Sequence, residues 1–147
     1  MKEALILTPT IALCGSSVFY PRMKELASSL EKDGWKVFLP ESEEGKLNYA
    51  ELPLEQKREQ KKTYIDAHLA KIRNSQAILV VNEPKHGIEG YVGANTLMEI
   101  AFAYALLKPI FLLNPVGPQP CQDELLGLGA RSLPVDQDLS SFLRSKC

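Results

Sequence analysis

What this sequence lacks narrows its reading first. No apolar stretch approaches the roughly 20 residues of a membrane-spanning helix. The run Ala4-Leu5-Ile6-Leu7 is interrupted by Thr8-Pro9, too early for the apolar stretch of a signal peptide. No membrane partner is expected, and the expected location is cytoplasmic. Cysteines number only three, Cys14, Cys121 and Cys147, an odd set without metal-ligand spacing that fits a reduced compartment better than a disulfide framework. Neither sign of charge predominates, with 17 basic against 18 acidic side chains. Binding along a phosphate backbone needs a basic stripe, so nucleic acid is not an expected partner; small anions stay open to helix N-termini. The only histidines, His68 and His86, are not clustered with cysteines or carboxylates along the chain, and no metal site is read from it. The phosphate-binding patterns G-x-x-x-x-G-K-S/T and G-x-G-x-x-G are both missing, and no cofactor is expected.

What remains is an ordinary globular composition over 147 residues, read as a single domain spanning 1–147. Strand-like and helix-like segments alternate. The apolar run Ile11-Ala12-Leu13-Cys14 ends in Gly15-Ser16, a turn signal, and is the first core strand. Met23, Leu26, Ala27 and Leu30 recur at helical spacing over 21–33, with Gly34 just beyond. A second strand covers 35–40, and 41–54 is a polar loop long enough to be functional. A charged helix over 55–74 has Ile65, Leu69 and Ile72 on one face. Its mixed charges, including Lys57-Arg58-Glu59-Gln60-Lys61-Lys62, read as a solvated surface. Ala77-Ile78-Leu79-Val80-Val81 and Pro109-Ile110-Phe111-Leu112-Leu113 are continuous apolar strands of the kind buried on both sides of a parallel sheet. Between them lie a loop over 82–95 and an unusually apolar helix over 96–107. A short helix near Asp123, a small strand near 131–133 and a helix from Asp136 finish the chain. The alternation predicts an α/β fold: a doubly wound, mostly parallel five-stranded sheet with helices on both faces.

Ligands of such sheets bind at the carboxyl ends of the strands, which selects Gly15-Ser16, Asn82 and Asn114. Gly15 admits a ligand to the backbone, and Ser16 and Ser17 bring hydroxyls and amides to a helix entrance; a tight turn with a serine cap is the plainer alternative. Cys14 is either a nucleophile or a packed strand end. The loop with Gly87, Gly90 and Gly93 is pliable, and Tyr91 gives it an aromatic face for a planar ring. Glu99 is the only charged side chain between Asn95 and Leu107. A carboxylate there is costly to bury unless paired or useful. Thr96-Leu97-Met98-Glu99 also fits a capping box, in which Glu99 would satisfy a free amide in the first helical turn. His68 borders the apolar face of its helix, as a packed side chain or as an acid.

The segments Ile11 to Ser16, His68 to Asn82, and Gly90 to Ala103 followed by Lys108-Pro109-Ile110-Phe111 resemble the nucleoside 2-deoxyribosyltransferase-like superfamily. That group includes the transferases and the 2′-deoxynucleoside 5′-phosphate N-hydrolases, and the resemblance runs from about Thr10 to Asn114 in matching order. It implies that Glu99 attacks the anomeric carbon of the sugar and forms a glycosyl-enzyme ester. It also implies a homodimer or larger homo-oligomer and a nucleoside or nucleotide as the small-molecule partner. The position of the family's aspartate is taken by His68 and that of its supporting tyrosine by Ala12; Tyr20 and Tyr91 are the candidates to replace the latter. Two functions follow: cleavage or transfer at an N-glycosidic bond, with Ser16, Asn82 and Asn95 positioning substrate, or a binding module that keeps the pocket without the chemistry. Residues 115–124 contain no basic side chain, which favours nucleosides over 5′-monophosphates, although amides of Gly15, Ser16 and Ser17 would accept a phosphate.

Overall fold

The continuous apolar runs become the middle of a sheet. A computed structural model of the chain describes residues 8–41, 48–134 and 138–146. Its strands are β1 (Thr10–Cys14), β2 (Lys36–Phe38), β3 (Ala77–Val80), β4 (Ile110–Leu112) and β5 (Arg131–Ser132), in spatial order β2-β1-β3-β4-β5. Every pairing is parallel, with Cys14 opposite Val80 and Val80 opposite Leu112. The helices are α1 (Tyr20–Lys32), α2 (Leu54–Arg73), α3 (Ala94–Ala105), α4 (Gln122–Gly127) and α5 (Leu139–Lys146), with 3-10 turns at Ser17–Phe19 and Tyr49–Glu51. This is the doubly wound α/β arrangement, and the chain reverses direction across the sheet between β1 and β3.

The period-two alternation of each strand sends successive side chains to opposite layers. Ile11, Leu13, Ala77 and Leu79 join Met23, Leu26 and Leu30 of α1 and Leu143 of α5. Ala12, Cys14, Ile78 and Val80 join Ile72 of α2, Ile100 and Ala103 of α3, and Leu125 of α4. Helices therefore cover both faces, and the central strands are buried throughout. The boundaries lie within a few residues of those read from the sequence, and the end of β1 at Cys14 and the start of β3 at Ala77 coincide with them. The largest difference in consequence is α3, which starts at Ala94 behind an N-cap at Gly93 rather than at Thr96. The run 4–7 and the position of Asp136 lie outside the described residues. No helix among the described residues is long and apolar enough to cross a membrane.

The C-terminal helix is fastened by polar as well as apolar contacts. Asp138 Oδ2 accepts from the amide and the hydroxyl of Ser141, both at 3.1 Å, an N-terminal cap. Buried Trp35 donates its indole N–H to Ser140 Oγ at 2.9 Å. Replacing Trp35 with Phe should cost about 1–2 kcal/mol in denaturant unfolding, from the lost hydrogen bond and reduced packing. An unchanged midpoint would show that this bond does not hold α5 in place.

Candidate active site

The carboxyl ends of β1 and β3, where the chain reverses direction, open onto a cleft of about 580 Å³, within the range of small-molecule sites. Gly15, Ser16 and Ser17 form one end of its lining and Tyr91, Gly93, Asn95 and Glu99 another side. Tyr49, Gln60, Lys61 and Tyr64 close it from the Tyr49–Glu51 turn and α2. Gly15 has no room for a side chain: a Cβ there would lie 2.8 Å from the carbonyl oxygen of Val81.

Glu99 is 6% exposed and is the sixth residue of α3, in its second turn. The capping box expected at Thr96-Leu97-Met98-Glu99 does not form, because the helix begins two residues earlier and its N-cap has no side-chain hydrogen bond. The carboxylate instead meets α2, where His68 Nε2 lies 2.8 Å from Glu99 Oε2. Cys14 Sγ, at the end of β1, lies 3.4 Å from the same ring nitrogen. Neither His68 Nδ1 nor Glu99 Oε2 has a hydrogen-bond partner among the described residues, so the 2.8 Å approach is a close polar contact rather than an aligned hydrogen bond. A proton on Nε2 suits its two neighbours best, since that nitrogen faces a carboxylate oxygen and a sulfur. His68 is 1% exposed and stands behind Glu99, outside the cleft lining.

A second cluster of cleft residues gathers around Lys85. Lys85 and Ile88 bridge across a tight turn in which His86 and Gly87 both have positive φ. The turn projects Lys85 over Ser16, with Nζ 2.9 Å from Oγ, and over the Tyr91 ring at 5.4 Å from its centroid. His86 packs edge-on against the same ring. The basic group missing from residues 115–124 is thus delivered by a different loop.

The remaining candidates hold the framework. Asn82 and Asn114 bind each other rather than lining the cleft: Asn82 Nδ2 donates to the Asn114 carbonyl at 2.7 Å, and the Asn114 amide donates to Asn82 Oδ1 at 2.8 Å. Gly90, with φ 63°, packs against Pro115 so closely that a Cβ would lie 2.1 Å from its carbonyl oxygen. Its own carbonyl accepts from Gln119 at 2.9 Å. Ala12 is fully buried beside Cys14 in the layer under α2 and α3, Tyr20 opens α1, and Tyr91 lines the cleft. The reading of the sequence missed Lys61, Tyr64 and Lys85. The first two share a helical row with His68, at intervals of three and four residues, and that spacing was the available signal.

No family model matches the sequence, and no curated protein does. Solved structures do match. A CMP N-glycosidase from Clostridium botulinum is 16% identical with a TM-score of 0.51, over 94% of this chain and 99% of that one. A 2-deoxyribosyltransferase from the psychrotolerant bacterium Bacillus psychrosaccharolyticus is 19% identical with a TM-score of 0.55, over 90% of this chain and 94% of that one. The likeness is one of fold.

Burial, and secondarily the charge of Glu99, pushes the Cys14 thiol well above its ordinary range. Cys14 is therefore a thiol and not a thiolate nucleophile at neutral pH. Above about pH 8.5, the ordinary thiol value, the unfolded chain releases this proton while the folded chain keeps it. Stability should therefore decline as pH rises past about 8.5, by up to about 1.4 kcal/mol per pH unit. Cys14→Ala should flatten that decline, leaving a weaker slope from the more open Cys121, whose thiol burial also raises. Denaturant unfolding across about pH 8 to about pH 10 measures both slopes; equal slopes in the two proteins would remove Cys14 as their source.

Proposed function

We propose that this protein cleaves the N-glycosidic bond of a nucleotide or nucleoside, with Glu99 as the nucleophile. The observation that carries the reading is the Glu99 carboxylate: it lines the cleft, yet its Oε2 is buried without a hydrogen-bond partner among the described residues. An unsatisfied buried oxygen costs stability, and a reactive carboxylate is a use that would retain it. The names of the two structures of like fold, an N-glycosidase and a deoxyribosyltransferase, lie in the same chemistry.

In this reading Glu99 attacks the anomeric carbon, a carbon–oxygen bond forms, and the carbon–nitrogen bond breaks with its electron pair leaving on the base. The base gains its proton from the solvent-open side of the cleft. Water then attacks the ester and returns Glu99 as a carboxylate, or a second base does so and the reaction is a transfer. His68 stands behind Glu99, its Nε2 2.8 Å from Oε2 in a polar contact without hydrogen-bond alignment, and limits the directions in which the carboxylate can move. Tyr91 offers a ring face to the base or sugar.

Lys85 favours a 5′-phosphate on the substrate. Its ammonium sits on Ser16, beside the backbone of Gly15 and Ser17 in the cleft lining, and a cation with hydroxyl and amide donors is what a phosphate requires. A second reading, a nucleotide-binding module without turnover, draws on the small exposure of Glu99, 6%, and on its imidazole neighbour.

Each deoxynucleoside and its 5′-monophosphate, incubated with and without a free second base and resolved by chromatography, tests the chemistry. Base release or exchange should occur and should fall by at least about 10³-fold in Glu99→Ala, while ligand-induced thermal stabilisation persists. Stabilisation without turnover in the unaltered protein would select the binding module. Lys85→Ala should raise KM for monophosphates by roughly ten-fold or more and leave nucleosides little changed. Equal effects on both substrates would remove the phosphate from the reading.

A further inference from the structure

We infer that Cys14, His68 and Glu99 together form a binding site for a soft divalent metal ion, Zn²⁺ foremost, reached from the cleft. The three residues come from β1, α2 and α3, and one ligating atom of each lies within 4.8 Å of the other two. All three are buried. Thiolate, imidazole and carboxylate are the three donors that zinc takes in proteins. A site with sulfur and nitrogen donors selects zinc, cobalt or copper over magnesium, calcium or manganese.

The geometry is near what a tetrahedral ion needs. With Zn–S of about 2.3 Å and Zn–N of about 2.05 Å, sulfur and nitrogen ligands stand about 3.5 Å apart; Cys14 Sγ and His68 Nε2 stand 3.4 Å apart. Nitrogen and oxygen ligands stand about 3.4 Å apart around the same ion, against 2.8 Å between Nε2 and Glu99 Oε2. The carboxylate would therefore retreat by roughly half an ångström, toward the cleft that it already lines. Glu99 Oε2 is also the buried atom left without a hydrogen bond among the described residues, so coordination supplies the partner it lacks.

On binding, the imidazole proton moves from Nε2 to Nδ1 through solvent exchange, Sγ, Nε2 and Oε2 donate electron pairs to the ion, the thiol proton passes to solvent, and nothing is oxidised or reduced. The ion would draw negative charge from the carboxylate that Glu99 needs as a nucleophile and hold it in place, so it inhibits rather than assists; that consequence rests on the glycosidic reading, whereas the binding does not.

Cobalt(II), a spectroscopic substitute for zinc, titrated into the metal-free full chain tests the site directly. The expected result is one ion bound per chain, with sulfur-to-cobalt charge-transfer absorption and tetrahedral d–d bands, both discharged by Zn²⁺. The charge-transfer bands should vanish in Cys14→Ser and persist in Cys121→Ser. Missing bands in the unaltered protein, bands that survive Cys14→Ser, or bands lost in Cys121→Ser would each overturn the site. Should Cys14→Ser not fold, Glu99→Gln serves instead: cobalt affinity should drop by roughly ten-fold or more, and an unchanged affinity overturns the proposal. Base release from metal-free protein that shows no cobalt signal would reject the metal site and leave the glycosidic reading standing. A cobalt signal without base release under any condition would do the reverse.

Discussion

A carboxylate on an otherwise apolar helix, pressed toward a parallel sheet, is the constraint around which this end of the molecule is arranged. Burying an ionised carboxyl group without compensation costs several kcal/mol or more, so the side chains near Glu99 are not interchangeable with hydrophobic ones. An imidazole on α2 faces it, a thiol at the end of β1 backs the imidazole, and the small Ala12 precedes that thiol on the same layer of the sheet. The negative charge also acts in return, helping to keep the sulfur protonated. Three residues remote in sequence therefore meet in one buried set of polar contacts.

That set exists only because of the parallel topology. In such a sheet every strand delivers its carboxyl end to the same edge, so the thiol of β1 arrives beside the end of β3 in fixed register, Cys14 against Val80. The helix carrying Glu99 follows β3 and the one carrying His68 precedes it, and the two pack together on the same face. The hydrophobic layer beneath the site and the polar contacts within it are thus set by one arrangement of strands.

The strands were legible because they are buried on both faces and so appear as unbroken apolar runs, with turn residues marking their ends. The start of α3 was less so: Asn95 and Thr96 look like loop residues, and only the extended backbone of Gly93 shows the helix beginning earlier. That two-residue shift moves Glu99 from a capping position to a buried contact, which local pattern could not reveal. Asn82 and Asn114 were found at strand ends, as topology requires, but that they would bind each other depends on the register of β3 and β4. Lys85 reaches Ser16 across 69 positions, and nothing local encodes that meeting. Lys61 was hidden in the mixed-charge stretch that reads as a solvated surface, and Tyr64 lies beside the apolar face of Ile65, Leu69 and Ile72 without pattern of its own.

Gln119 ties the loop after β4 to the one before α3. Its amide oxygen accepts from the Val92 amide at 2.9 Å, and its amide nitrogen donates to the carbonyls of Gly90 and Gly117 at 2.9 and 3.2 Å. Glu89 and Gly117 add a backbone bond of 2.7 Å. The main chain of the segment bearing Tyr91 and Gly93 is consequently held by the loop after β4, while the Tyr49–Glu51 turn and α2 line the cleft with the long side chains of Tyr49, Gln60 and Lys61. Such a cleft is compliant on one side only. A bulkier occupant is accommodated by rotamer changes on α2 and its preceding turn, so diversification of ligand preference has its cheapest route there, whereas the Tyr91 wall changes only as a whole.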